Sequence, residues 1–184
     1  IAELSSFQKG CFQVQDVSSM LVCELADIQP DSHVIDVCAA PGGKALHAAD
    51  LLNGSGHVEA RDLTEAKVDL LEENIRRSGF FNINAALQDA RNLTEESIGQ
   101  ADVVLADLPC SGLGIMGRKN DIKYRVSSEK LESLVALQRE ILRTVSRYVK
   151  PGGTLIFSTC TIRRAENEEN VSWIEKQLPF TAVS

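Results

Sequence analysis

A chain of 184 residues with 43% hydrophobic content can bury one sizeable core but not two ordinary domains, so a single domain is expected. No apolar run reaches membrane-spanning length and no basic-then-apolar leader with a cleavage site is present, which argues against membrane and secreted classes and makes a soluble, cytoplasmic protein the expectation. The net charge of −7 argues against a surface built throughout to neutralise phosphates.

In chain order, apolar runs alternate with amphipathic segments. A first helix is expected near Asp16 to Ile28, then a strand from His33 to Val37, and Pro41-Gly42-Gly43 turns the chain into a helix through Leu52. A second strand, Gly56 to Arg61, leads to a helix that starts at a capping Thr64, puts Val68, Leu71 and Ile75 on one face and stops at Gly79. Strands follow at Ile83 to Leu87 and Val103 to Ala106. A glycine-rich basic loop then precedes a helix of about twenty residues from near Ser128, with Leu131, Leu134, Ile141 and Val145 inward. Lys150-Pro151-Gly152-Gly153 ends that helix and launches a strand from Thr154 to Ser158; a last helix, Glu166 to Gln177, precedes Phe180 to Val183, read as a strand cut short. This is the α/β pattern: a mainly parallel sheet with helices on both faces, whose ligands bind beyond the carboxyl ends of the strands.

Those strand ends carry the chemistry. Asp36, Asp62, Asp89 and Asp107 stand in or just after the first four strands, and the fifth ends in Ser158-Thr159-Cys160. Carboxylates recurring at one edge describe an acidic pocket beside a thiol. Such a pocket suits the cationic sulfonium of S-adenosyl-L-methionine better than an anionic dinucleotide, and the first turn, Asp36 to Lys44, lacks the G-x-G-x-x-G spacing of nicotinamide enzymes. Small residues in that turn let the backbone approach a ligand. Asp62 is placed to accept from ribose hydroxyls and Asp89 from an adenine amino group. The five cysteines, Cys11, Cys23, Cys38, Cys110 and Cys160, are an odd number and none has zinc-ligand spacing, so free thiols and no metal are expected. Cys11 and Cys23 read as small buried hydrophobes. His33, His47 and His57 are scattered and read as structural.

Three motifs in order, Asp-Val-Cys-Ala-Ala-Pro-Gly-Gly-Lys (36 to 44), Asp-Leu-Pro-Cys-Ser-Gly-Leu-Gly (107 to 114) and Ser-Thr-Cys-Thr (158 to 161), resemble those of the Sun/Fmu-type, RsmB-like RNA cytosine-5 methyltransferases. The likeness extends to Val14 to Ser19, Asp121-Ile122-Lys123 and Asn167-Glu168; Leu108, Asn120 and Met20 depart from it. The resemblance implies a Rossmann-like methyltransferase fold with C-terminal strands missing, in which Cys38, Ala39, Ala40, Pro41, Gly42, Gly43 and Lys44, with Asp62, Asp89 and Asp107, hold S-adenosylmethionine. It further implies that Cys160 attacks carbon-6 of a cytosine, that Cys110 assists release, and that Asp107 binds the cytosine edge. Attack needs a thiolate, for which Arg163, Arg164 or Lys44 are the candidate cations. Arg118, Lys119, Lys123 and Arg125 are expected to touch RNA phosphates, with Tyr124 as a stacking group and the target presented in a loop or flipped out. Residues 1–184 read as the catalytic domain of a longer, monomeric enzyme on small-subunit ribosomal RNA whose N-terminal RNA-binding region lies outside the chain, so that an exposed sheet edge and weak RNA affinity are expected. Transfer RNA as substrate, or a non-catalytic cofactor-binding assembly module, are the alternatives.

Overall fold

The computed structural model describes residues 1–118 and 127–183. Its centre is one sheet of five strands, β1 (His33–Asp36), β2 (His57–Asp62), β3 (Ile83–Leu87), β4 (Ala101–Asp107) and β5 (Val149–Ser158), in the order β3-β2-β1-β4-β5. Every neighbouring pair is parallel. The helices are α1 (Ser5–Gln8), α2 (Val17–Leu25), α3 (Gly43–Leu51), α4 (Glu65–Ser78), α5 (Ser128–Val145) and α6 (Glu168–Gln177).

Strand periodicity of two builds the two cores. Val34, Val58, Ala60, Val103 and Leu105 enter one cluster with Ala45, Leu46, Ala48 and Ala49 of α3 and Leu71 of α4. Their neighbours Ile35, Val104 and Ala106 enter the other, with Ile141, Leu142 and Val145 of α5 and Ile174 of α6. The alanines of α3 let that helix lie close to the sheet. Both faces are therefore covered, and the near-continuous apolar runs of β1 and β4 are explained by burial on both sides.

Local signals set most boundaries. The Asp16 carboxylate caps α2 by accepting from the Ser18 amide at 3.0 Å, and Gly79 ends α4 in the left-handed region at φ 74°. Thr64 occupies the cap position of α4 but its side chain makes no capping bond. Three expectations are corrected. Helix α1 was not foreseen. β5 begins at Val149, before the Pro-Gly-Gly run: α5 stops at Val145, a 3-10 turn (Ser146–Tyr148) intervenes, and the register shift between Ala101 and Val103 absorbs the irregular residues. An edge strand tolerates Pro151, whose missing amide costs no ladder bond there, and a Cβ at Gly153 would meet the Asp102 carbonyl at 2.8 Å. Finally, the stretch after α6 forms no strand among the described residues, and β5 stands at the sheet edge.

Candidate active site

Strand order reverses between β1 and β4, whose connections leave in opposite directions and open a crevice at their carboxyl ends. The first wall is the loop from Val37 to Gly42. Val37 N donates to Leu105 O (3.1 Å), Ala39 N to Arg61 O (2.9 Å) and Ala40 N to Asp62 Oδ2 (2.9 Å), so the loop is sewn to β4 on one side and β2 on the other. Gly42, at φ 110°, turns the chain into α3; a Cβ there would lie 3.2 Å from Leu71 Cδ2. A Cβ on Gly43 would stand in ordinary contact with the Gln15 side chain, at 3.9 Å.

The expected carboxylates do gather at this edge, but each of three is paired with a cation of the chain itself. Lys67 Nζ meets Asp62 Oδ1 at 2.8 Å, Arg91 grips Asp89 through Nε and Nη2, the latter at 2.6 Å, and Lys44 Nζ reaches Asp107 Oδ2 at 2.6 Å. Arg91 holds the Asp89 carboxyl below its ordinary range. Asp36, buried beneath the loop, is pushed up to about 7 by burial and then by the charge of Asp107. The pocket is thus nearer neutrality than four aspartates imply. The reason is physical: carboxylates crowded at a partly dry edge are stable only when paired or protonated.

The second wall carries the thiols. Asp107 and Ser158 are register partners at the ends of β4 and β5, and Ser158 Oγ donates to Asp107 Oδ1 at 2.8 Å. Two residues beyond Ser158 and three beyond Asp107, Cys160 Sγ and Cys110 Sγ stand 3.1 Å apart, hydrogen-bonded rather than joined, and the Cys160 amide donates to Cys110 Sγ at 3.3 Å. The hydrogen bond with Cys160, followed by burial, holds the Cys110 thiol well above the ordinary cysteine range. The two sulfurs share one hydrogen bond in which either can be the donor, and the backbone amide of Cys160 adds a second contact to Cys110 Sγ. A Cβ on Gly114 would sit 2.9 Å from the Cys160 carbonyl, which also accepts from the Gly114 amide at 3.1 Å; only glycine fits this crossing of the two cysteine loops. Lys44, Asp107, Ser158, Cys160 and Asn167 line a cavity of about 870 Å³ together with Asp16, Ser18, Ser19 and Arg118.

Other sequence-derived candidates fall less neatly. Cys38 lies in the first loop, where burial pushes its thiol up to about 12, and Cys23, likewise at about 12, is buried in the core beside α3 with its thiol donating to the Lys44 carbonyl at 3.3 Å. Cys11 is exposed, not a core residue, because the segment carrying it runs over the surface before α2. Arg163 is turned to the Leu131 carbonyl of α5 (2.9 Å) and Arg164 is exposed, while Lys44 is engaged by Asp107; none of the three contacts a cysteine sulfur through a described bond. Arg118 is 73% exposed at its side chain and pairs with Asp16 at 2.5 Å; Lys119, Lys123, Tyr124 and Arg125 lie outside the described residues. His33 and His57 begin β1 and β2, at the opposite end of the sheet. The sequence reading missed Lys67, Arg91 and, beneath the thiols, Gln138, Glu166 and Asn170. One signal was available: Gln138 falls in the 134, 138, 141, 145 series of α5, a polar residue on an inward face.

This sheet order, with a glycine turn after β1 and acidic ends on the following strands, is the Rossmann-like fold of the S-adenosylmethionine-dependent methyltransferases. The chain belongs to the 16S rRNA methyltransferase RsmB/F family, whose sequence model matches residues 23–181. It is 44% identical over 170 residues to a probable ribosomal RNA small subunit methyltransferase B of Bacillus subtilis, covering 92% of this chain and 38% of that protein. It is 34% identical over 177 residues to a tRNA (cytosine(72)-C(5))-methyltransferase of Pyrococcus horikoshii, covering 95% of this chain and 44% of that one. Among solved structures, NSun6 from Pyrococcus horikoshii with SFG superposes with a TM-score of 0.88 at 34% identity, over 96% of this chain and 45% of that chain. The chain therefore spans less than half the length of these relatives, between 38% and 45%.

Proposed function

We propose that this chain is the catalytic unit of an S-adenosylmethionine-dependent RNA cytosine-5 methyltransferase acting on small-subunit ribosomal RNA through a covalent cysteine adduct. The observation that carries the proposal is the pair of thiols from two adjacent strand ends, 3.1 Å apart, beside the Lys44–Asp107 pair. A single thiol serves many enzymes. Two thiols in contact suit a reaction that must both add to a ring carbon and leave it again.

The residues fit the cofactor by donor chemistry and by shape. Residues Cys38 to Lys44 offer a backbone cradle in which Gly42 and Gly43 carry no side chain, and Asp62 Oδ2 receives a single described hydrogen bond, which leaves acceptor capacity for a ribose hydroxyl. Asp89 and Asp107 complete the set. The relative solved with SFG, an S-adenosylmethionine analogue, supports the same assignment. When bound, the cofactor supplies an electrophilic methyl group on a sulfonium. Cytosine carbon-5 is too weak a nucleophile to take it unaided, so the protein must activate the ring. Cys160 does so as a thiolate adding to carbon-6. Asp107 meets the amino edge of the base, held in place by Lys44 and Ser158. Loss of the carbon-5 proton to solvent base returns that electron pair to the ring, breaks the carbon-6–sulfur bond and frees Cys160 as a thiolate, whose departure the Cys110 thiol assists by hydrogen bonding to it.

The target base must leave its helix to reach Cys160 in this cavity, so a loop or flipped nucleotide is the substrate. Arg118, Lys119, Lys123 and Arg125 are assigned to the flanking phosphates. Ribosomal RNA is preferred because the family and the 44% identical relative carry that description; the 34% identical transfer-RNA enzyme makes transfer RNA the second reading. The test is methyl transfer to unmodified small-subunit ribosomal RNA and to unmodified transfer RNA in parallel, with 5-methylcytosine read by mass spectrometry. The proposal expects product on ribosomal RNA. Product on transfer RNA alone would move the substrate assignment, and retained cofactor binding with no product on either would overturn catalysis.

A further inference from the structure

Beneath the two thiols lies a buried polar cluster that none of the chemistry above uses. Gln138 in the middle of α5, Glu166 in the 3-10 turn (Arg164–Glu166) between Cys160 and α6, and Asn170 near the start of α6 are each 0% exposed. Glu166 Oε2 accepts from the Ser111 amide (2.9 Å) and from Gln138 Nε2 (3.1 Å), and the same Gln138 amino group donates to the Pro109 carbonyl (2.9 Å). The peptide groups on both sides of Cys110 are therefore gripped by one carboxylate–amide pair. Asn170 Nδ2 donates to Gln138 Oε1 (2.8 Å) and Arg139 Nε to Asn170 Oδ1 (2.9 Å), which fixes the direction in which each amide faces. Ser111 and Thr161 join the two cysteine loops through their hydroxyls at 2.7 Å.

Stability alone does not account for this cluster. Apolar side chains of similar volume would pack α5 against α6 without the cost of burying a carboxylate, and Glu166 Oε1 stays buried without a partner among the described residues. What the cluster does specify is the position of the Cys110 backbone. Cys160, two residues beyond β5, is fixed through its own carbonyl by the Gly114 crossing, and the cluster reaches its loop only through the Ser111–Thr161 hydroxyl pair.

We propose that Glu166, acting with Gln138, is a positioning residue that sets Cys110 against Cys160 and thereby governs release of the covalent intermediate rather than its formation. This rests on the reading of Cys160 as nucleophile and Cys110 as release thiol. The experiment compares Glu166→Ala, Glu166→Gln and Gln138→Leu with wild type and with Cys110→Ala. Each purified protein is incubated with S-adenosylmethionine and unmodified ribosomal RNA, and turnover is measured together with covalent protein–RNA complex on a denaturing gel. Thermal unfolding and cofactor affinity give the folded fraction.

The expected result is that Glu166→Ala and Gln138→Leu lose about a hundredfold in turnover, the scale of an ångström-sized misplacement, yet accumulate covalent complex as Cys110→Ala does. Glu166→Gln keeps an acceptor oxygen for Ser111 and Gln138 and should recover most of the turnover without accumulating complex. If Glu166→Ala fails to fold, Gln138→Leu, which preserves volume and removes the grip on Pro109, is read by the same criterion. Normal turnover in the folded variants, or activity that falls only in step with the folded fraction and without trapped complex, overturns the inference while Cys110→Ala still traps. No complex in Cys110→Ala itself would overturn the parent reading of the thiols and this inference with it.

Discussion

The Lys44–Asp107 pair links the cofactor loop to the thiol wall, and its removal has a size that follows from its surroundings. The side chains are 14% and 33% exposed and meet at 2.6 Å, while Asp107 also accepts from Ser158. A hydrogen bond between charged groups contributes about 1.5–3 kcal/mol; partial exposure of Asp107 takes this pair towards the lower end, about 2 kcal/mol. Asp107→Asn leaves the Lys44 ammonium largely buried without its counter-charge, so a loss of about 2 kcal/mol is expected, which for a chain of this size lowers Tm by roughly 4–8 °C. Lys44→Met should cost less, since the abandoned carboxylate keeps Ser158 and some solvent. The double variant should then be more stable than the sum of the two losses requires, by a coupling of about 1–2 kcal/mol. Urea unfolding of the four proteins measures this cycle. Losses that add to within about 0.5 kcal/mol would refute the reasoning, because they would show that the two groups do not interact in solution.

Further outcomes follow from other parts of the site. Asp62→Ala removes the acceptor of the Ala40 amide, the Leu63 amide and Lys67 Nζ, so the cofactor loop should lose its β2 anchor and S-adenosylmethionine affinity should fall by tenfold or more, about 1.4 kcal/mol upwards, by titration calorimetry; unchanged affinity would remove Asp62 from the cofactor set. Asp36 has a folded pKa raised from 3.8 to about 7, so the native state binds more protons than the unfolded chain between those values. Stability contributed by its protonated form is present below the unfolded value and lost as pH rises through 7, at up to about 1.4 kcal/mol per pH unit. Asp36→Asn should flatten that decline in urea midpoints between pH 4 and 7, and an unchanged slope would contradict it. Gly114→Ala should depress methyl transfer while leaving cofactor affinity intact, because its Cβ presses on the Cys160 carbonyl; full activity would show that the two loops separate freely.

The parts of the molecule legible in the sequence are those written in local rules. The apolar runs of β1 and β4, the Gly79 stop and the Pro-Gly-Gly turn are short-range signals, and strand ends in a parallel sheet converge by topology, so Asp62, Asp107 and Cys160 could be placed together before any distance was known. The partners of those residues were not legible. Lys67 and Arg91 sit on solvent-facing sequence positions, and only the fold reveals that each turns back onto the strand-end carboxylate five and two residues before it. The start of β5 was misplaced because Pro151 and Gly152 read as a turn, whereas an edge strand with a register shift accommodates both. Gln138, Glu166 and Asn170 come from two helices and a turn, and their meeting under Cys110 depends on how α5 crosses α6, which no local pattern encodes.

The central claim, a cysteine adduct formed by Cys160 and resolved by Cys110, is tested most directly by trapping. Protein carrying Cys110→Ala, incubated with S-adenosylmethionine and unmodified small-subunit ribosomal RNA and run on a denaturing gel, should give a covalent protein–RNA band that disappears when Cys160→Ser is added. A band that survives the loss of Cys160, or no band from protein that binds the cofactor and methylates the RNA in its wild-type form, would contradict the account.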